Sequence, residues 1–186
     1  MFEYFLKKTG INPKDLAKIE KENPELFTKL TSDDPSSQRS KAKKLTDIRK
    51  KGYMKGKLGM IIDGTGHRYE KIAKLKKHAE SLGYDCYMVF VNTSLKVAQE
   101  RNKNRERVLP DDLLAKSWQD VQDNLGKFQN LFGSHFRIVD NTVYKPITRE
   151  VQKAVNKFVR KPIYNRIGRK WIENAKALKK AGYIRK

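Results

Sequence analysis

Two groups of residues in this sequence have the types and the spacing to do chemistry. The first is Asp63 with Thr65, in the stretch from Lys57 to Glu70 that reads KLGMIIDGTGHRYE. Gly59, Met60, Ile61 and Ile62 lack polar alternation, so this run reads as a short strand buried on both faces, and Asp63 would end it. The crevice beyond the carboxyl end of such a strand is where open α/β folds hold ligands, which would put the acid at a site. Gly64 and Gly66 allow a tight turn, and Thr65 brings a hydroxyl before a helix that starts near Arg68. A strand ending in Asp-Gly also describes an ordinary turn. The second group is Arg101 and Arg105, four apart and so on one helix face, with Arg107 following where the helix must break before Pro110. Guanidinium groups offer planar, paired donors and permanent charge, a match for phosphoryl oxygens, although many surface helices carry such pairs.

The elements that must position these groups follow from periodicity. Ile72, Leu75, Ala79 and Leu82 fall at helical spacing, and Gly83 ends that helix. Tyr84 to Val91, YDCYMVFV, predicts a second buried strand, so that strand, helix and strand form a βαβ unit with a right-handed crossover. Ser94 is placed to cap a helix running through Arg101 to about Asn104. Pro110 and Asp111 open a further helix, whose stripe of Leu114, Trp118, Val121, Leu125, Phe128 and Phe132 is core rather than a stacking platform and which Gly133 closes. Phe136 to Val139 is a third strand ending at Asp140, and strands at about 58–62, 85–91 and 136–139 should all be parallel, because helical crossovers and no hairpins join them.

The flanks are helical. Residues 1–56 hold no strand: Asn12-Pro13 and Pro24 open short helices, TSDDPSS from Thr31 to Ser37 is a loop, and its serines cap a basic helix over 38–53, usually a solvated face. Beyond Asn141 come a helix over 148–159, a looped RKPIYNRIGRK and a last helix from Trp171 to Ala181.

Charge is the strongest compositional signal. Forty-two Lys and Arg face twenty-one Asp and Glu over 186 residues, a net +21 with an isoelectric point near 10.0, which points to a polyanionic partner such as nucleic acid. From Asn141 onward nine Lys and five Arg meet only Glu150 and Glu173, a surplus of twelve. In that tail Arg166, Arg169 and Lys170, interleaved with Tyr164 and Trp171, are the candidate nucleic-acid contacts, the alternative being a solvated helix packed through Trp171 and Leu178. Cys86 stands alone in an apolar run, which excludes an internal disulfide and reads as core. No metal-ligand spacing stands out. No apolar run approaches the roughly 18–20 residues of a membrane span, so no membrane partner is expected, and with nothing arguing for secretion the cytoplasm is the default compartment.

From about Gly59 to Asp140, the strand with Asp63 and GTGHR, the helix after it, and YMVFVNTSLKVAQERNKNRERVLPDDLLAKSW together resemble the second half of the P-loop kinases of the bacteriophage polynucleotide kinase and zeta-toxin group. The resemblance implies a partial, parallel three-layer α/β sheet of P-loop-kinase type over 57–140, with a helical substrate region over 1–56 and a basic helical extension over 141–186. It implies Asp63 as the base that meets the phosphate-accepting hydroxyl, with Thr65 beside it. In the R-N-x-x-R lid, matched by Arg101, Asn102 and Arg105 with Pro110 beyond, it implies Arg105 for transition-state charge, with Arg101 or Arg107 in support. The departure is large: no G-x-x-x-x-G-K-[ST] occurs, so the nucleotide cradle and its lysine are absent. ATP and Mg²⁺ would be used only if a separate P-loop polypeptide supplied that part, leaving this chain an inactive portion or derivative of a kinase. The alternative is a non-catalytic, basic nucleic-acid-binding protein, of the virion or accessory to it.

Overall fold

The computed structural model describes residues 1–105, 108–143 and 146–183, a mostly helical chain with one parallel pair of strands. It divides into two compact units, one formed by Met1–Ile62 with Ala98–Leu114 and the other by Asp63–Val97 with Ala115–Lys186.

The first unit is built from short helices whose starts are written locally. After α1 (Phe2–Lys8), the Asn12 side chain accepts from Lys14 N and opens a 3-10 turn into α2 (Leu16–Glu22). Asn23 accepts from Leu26 N at the start of α3 (Pro24–Thr31), with proline in the first turn, where its missing N–H costs nothing. Ser37 opens α4 (Gln38–Lys55): its hydroxyl accepts from Ser40 N at 3.0 Å and donates to Ser32 O at 2.7 Å, so a buried serine is fully satisfied. Leu6, Leu16 and Leu30 form the core of this unit, with Phe2, Ile11, Leu26 and Phe27 against it.

The second unit begins with α5 (Tyr69–Ser81), which ends at Gly83 in the left-handed region at φ 97°. Strand β1 (Met88–Asn92) follows, then the first residues of α6 (Leu95–Lys103), where Ser94 Oγ accepts from Val97 N; α6 from Ala98 and α7 (Asp111–Phe132) up to Leu114 belong to the first unit, and the rest of α7 to the second. Strand β2 (Phe136–Asp140) pairs parallel with β1, Met88 opposite Phe136 through Asn92 opposite Asp140. Phe90 and Phe136 meet Phe128 and Phe132 of α7, and Tyr69, Ile72 and Val121 close around them. Helix α8 (Thr148–Val159) packs against both strands, its Phe158 ring 5.9 Å from the Arg137 guanidinium, and α9 (Arg166–Lys180) is the last helix among the described residues.

Three expectations need correction. Residues 58–62 form no strand, so the parallel sheet has two strands and not three, and a three-layer P-loop-type sheet is not present among the described residues. A strand exists only where its N–H and C=O groups find partners; with no strand to pair with, the run stays irregular and Ile61 is 95% exposed. The run can go without a strand ladder because most of it is exposed to water. Tyr84 to Tyr87 are likewise outside β1, since Asp85 and Cys86 are engaged elsewhere, as described below. The last helix begins at Arg166 rather than Trp171, because Asn165 caps it.

Phe128 is fully buried at the centre of the second unit. Phe128→Ala should destabilise the protein by about 3–5 kcal/mol, measured by chemical denaturation.

Candidate functional site

Asp63 and Thr65 are exposed at the start of the second unit. The Thr65 hydroxyl lies 2.5 Å from His67 Nδ1, and Gly66, at φ 81°, is buried with its α-carbon turned toward the Phe128 ring. What fixes this loop is Asn124 of α7, a nearly buried amide whose Nδ2 donates to Gly66 O at 3.2 Å and His67 O at 3.0 Å. The GTGHR segment is thus a held turn on the flank of α7.

The arginine group has a comparable clamp. Asn102 is 1% exposed; its Nδ2 donates to Leu109 O at 2.8 Å and its Oδ1 accepts from Leu109 N at 3.0 Å, as a paired strand residue would. Arg105 N also donates to Asn102 O. Arg101 is half-buried and Arg105 exposed, both in the first unit, whereas Asp63 belongs to the second; Arg107 lies outside the described residues.

At the carboxyl ends of the strands, polar groups are spent on each other. Gln122 Nε2 donates to Asn92 Oδ1, Trp118 Nε1 to Thr93 O, and Asp140 Oδ1 accepts from both the backbone N–H and the hydroxyl of Thr142. These bonds hold turns. Among the described residues no cluster of three or more His, Cys, Asp or Glu could hold a metal ion, and no helix is long and apolar enough to cross a membrane.

The basic tail is where the sequence reading changes most. Asp85 presents its carboxylate to two backbone donors, Oδ2 to Tyr164 N at 3.0 Å and Oδ1 to Asn165 N at 2.9 Å. The Asn165 Nδ2 donates to Glu80 O and Tyr84 O, while its Oδ1 accepts from Ile167 N and Gly168 N, capping α9. The tail is therefore tied to the end of α5 at the same residue that starts its helix. Two glycines make the approach possible: a Cβ on Gly168 would lie 2.2 Å from Gly83 O, which no side chain could occupy. Tyr164 completes the joint, accepting from Cys86 N and donating to Glu80 Oε1, its ring stacked on His135 at 4.6 Å.

This packing sets the local titrations. Burial, with some help from Glu80, pushes the Cys86 thiol up to about 11, so it is a core group and no nucleophile, as its apolar setting predicts. Burial also holds the Tyr164 phenol protonated well above its ordinary range, and burial and then Lys161 lower His135.

Helix α9 carries Arg166, Arg169, Lys170, Lys176, Lys179 and Lys180, all exposed and none in an ion pair among the described residues. In α4, by contrast, Lys43 pairs with Asp33 and Lys50 with Asp47. The sequence matches no family model and no curated protein.

Of the residues that build the joint, the sequence offered a signal for Asn165 alone, as a capping residue ahead of Ile167, Trp171 and Leu178 at helical spacing; Asp85 and Asn124 act across too much chain to be read. Gly168→Ala should force Gly83 and Gly168 apart and cost about 1–3 kcal/mol in denaturant unfolding. The control is Gly126→Ala in the interior of α7, where the added Cβ meets nothing within 4 Å, and which should stabilise by about 0.5–1 kcal/mol.

Proposed function

We propose that this chain is a non-catalytic nucleic-acid-binding protein whose phosphate-contacting element is α9. The observation that carries the reading is a helix with six exposed cations and no acid paired to any of them among the described residues, anchored at its amino end by Asp85 and Asn165. An anchored helix has already lost most of the freedom that a disordered basic tail would lose on binding. Its cations would replace condensed counterions on the phosphates, and release of those ions drives association in dilute salt.

A second reading has its own support. Asn102 of the R-N-x-x-R pattern is paired with the Leu109 backbone, and β1 and β2 are parallel, both features in keeping with a derivative of a P-loop kinase that retains part of its sheet. In that reading Asp63 would face the acceptor hydroxyl, Arg105 with Arg101 and Arg107 would neutralise the transferred phosphoryl group, and ATP with Mg²⁺ would arrive with a complementing P-loop polypeptide. Without that polypeptide the β- and γ-phosphates lack their backbone donors and lysine, so the chain alone should not phosphorylate a 5′-hydroxyl oligonucleotide. Robust ATP-dependent transfer by the purified 186-residue chain would overturn the non-catalytic proposal.

The binding claim is tested by titrating a labelled oligonucleotide at several salt concentrations. Arg166→Glu, Arg169→Glu and Lys170→Glu together should weaken binding and lower the slope of log affinity against log salt by about 2–3, since each lost phosphate contact removes roughly 0.7–0.9. Unchanged affinity and slope would exclude α9 as the site.

A further inference from the structure

Resting on the proposal that α9 contacts phosphates, we infer that the ligand is single-stranded nucleic acid and that Trp171 stacks on one of its bases. Of the two aromatic residues that the sequence interleaves with the tail cations, only one is free of ring packing. The Tyr164 ring, 38% exposed, is stacked on His135 through one face and meets Tyr87 edge-on, and its hydroxyl accepts from Cys86 N and donates to Glu80, so the side chain is already fixed inside the unit. Trp171 is 46% exposed, and among the described residues its indole enters no ring stack and no hydrogen bond.

Helical spacing puts this indole beside charge. Ile167 and Trp171 are four apart, with Leu178 on the same stripe, and all three are exposed; Arg166 and Lys170, also four apart, form the adjoining stripe. An aromatic face flanked by two unpaired cations fits an unpaired base attached to a phosphodiester: the ring meets the π-face and the cations meet the backbone. In a duplex the base faces are already stacked on each other, so only the charge stripe would be used.

The main alternative for a basic helix with exposed Trp and Leu is an anionic membrane surface. An interfacial helix buries its entire apolar face among the acyl chains. In α9 the centre of that face is Gly168, buried against Gly83, and only the flank carrying Ile167, Trp171 and Leu178 is open. A flank one or two residues wide suits a stacked base better than a bilayer.

The full chain would be titrated with fluorescein-labelled oligothymidylate and with a duplex of the same length, while tryptophan emission is followed with unlabelled oligomer. The other tryptophan, Trp118, donates its Nε1 to Thr93 O and serves as the unresponsive background. Expected are quenching by oligothymidylate that disappears in Trp171→Phe, and for Trp171→Ala a loss of oligothymidylate affinity of about tenfold with duplex affinity changed less than about twofold. Trp171→Phe should keep most of the affinity, and both variants should keep the wild-type circular dichroism. Wild-type oligothymidylate affinity in Trp171→Ala, or an equal loss for duplex, would overturn the stacking inference. It would leave the phosphate reading intact as long as the triple charge reversal still weakens binding; failure of that reversal removes the phosphate reading itself. Binding of phosphatidylserine vesicles that is lost in Trp171→Ala while oligothymidylate affinity stays at the wild-type value would assign the indole to a membrane surface and overturn the inference.

Discussion

The joint between Asp85 and the backbone of Tyr164 and Asn165 is the constraint on which the functional surface depends. One carboxylate takes two backbone N–H donors just before a helix, and the asparagine that supplies the second of them caps that helix and returns its own amide to α5. Hydrogen bonds to an ionised acceptor are the stronger kind, and here they act on backbone groups that would otherwise need water or a partner. The contact is made at van der Waals distance because Gly83 and Gly168 have no side chains to hold it open. Gly83 also needs its freedom for a second reason, the left-handed turn that ends α5.

From that joint the rest of the second unit can be followed outward. The Tyr164 ring fills the space beside His135, and Tyr87 stacks on Phe158, so α8 and α9 are fastened at the amino ends of the two strands. On the other side of the strands, Phe90, Phe136 and Phe128 form the aromatic core, and Asn124, four residues before Phe128, holds the GTGHR turn. The polar side chains of Asn102, Asn124 and Asp140 are spent on backbone groups of neighbouring segments. The six cations of α9, by contrast, enter no ion pair among the described residues.

Local signals were legible where the physics is local. Asn12, Asn23, Ser37 and Ser94 each accept the helical N–H bond that their type predicts, and Gly83 and Gly133 stop their helices at positive φ. The parallel pairing of residues 88–92 with 136–140 also followed from the absence of a hairpin between two apolar runs. The run at 58–62 misled because an apolar sequence specifies a strand only when a neighbour supplies hydrogen bonds, and that neighbour is a non-local fact. The start of α9 was hidden by Pro162 and Gly168, which read as loop residues; the glycine is there for a contact with residue 83 that no local window contains. Asp63, expected at the end of a strand, stands in irregular exposed backbone, because the strand that would have carried it does not form; Arg101 lies within α6 and Arg105 just beyond it, in the other unit.

The central claim is that α9 is a fixed part of the second unit and not a loose basic tail. Amide hydrogen exchange measures this directly, because the Tyr164, Asn165, Ile167 and Gly168 N–H groups are all donors in the joint. These four amides should exchange as slowly as those in the middle of α5 and lose protection only when the unit opens as a whole. Exchange at the rate of an unstructured peptide, with α5 still protected, would contradict it.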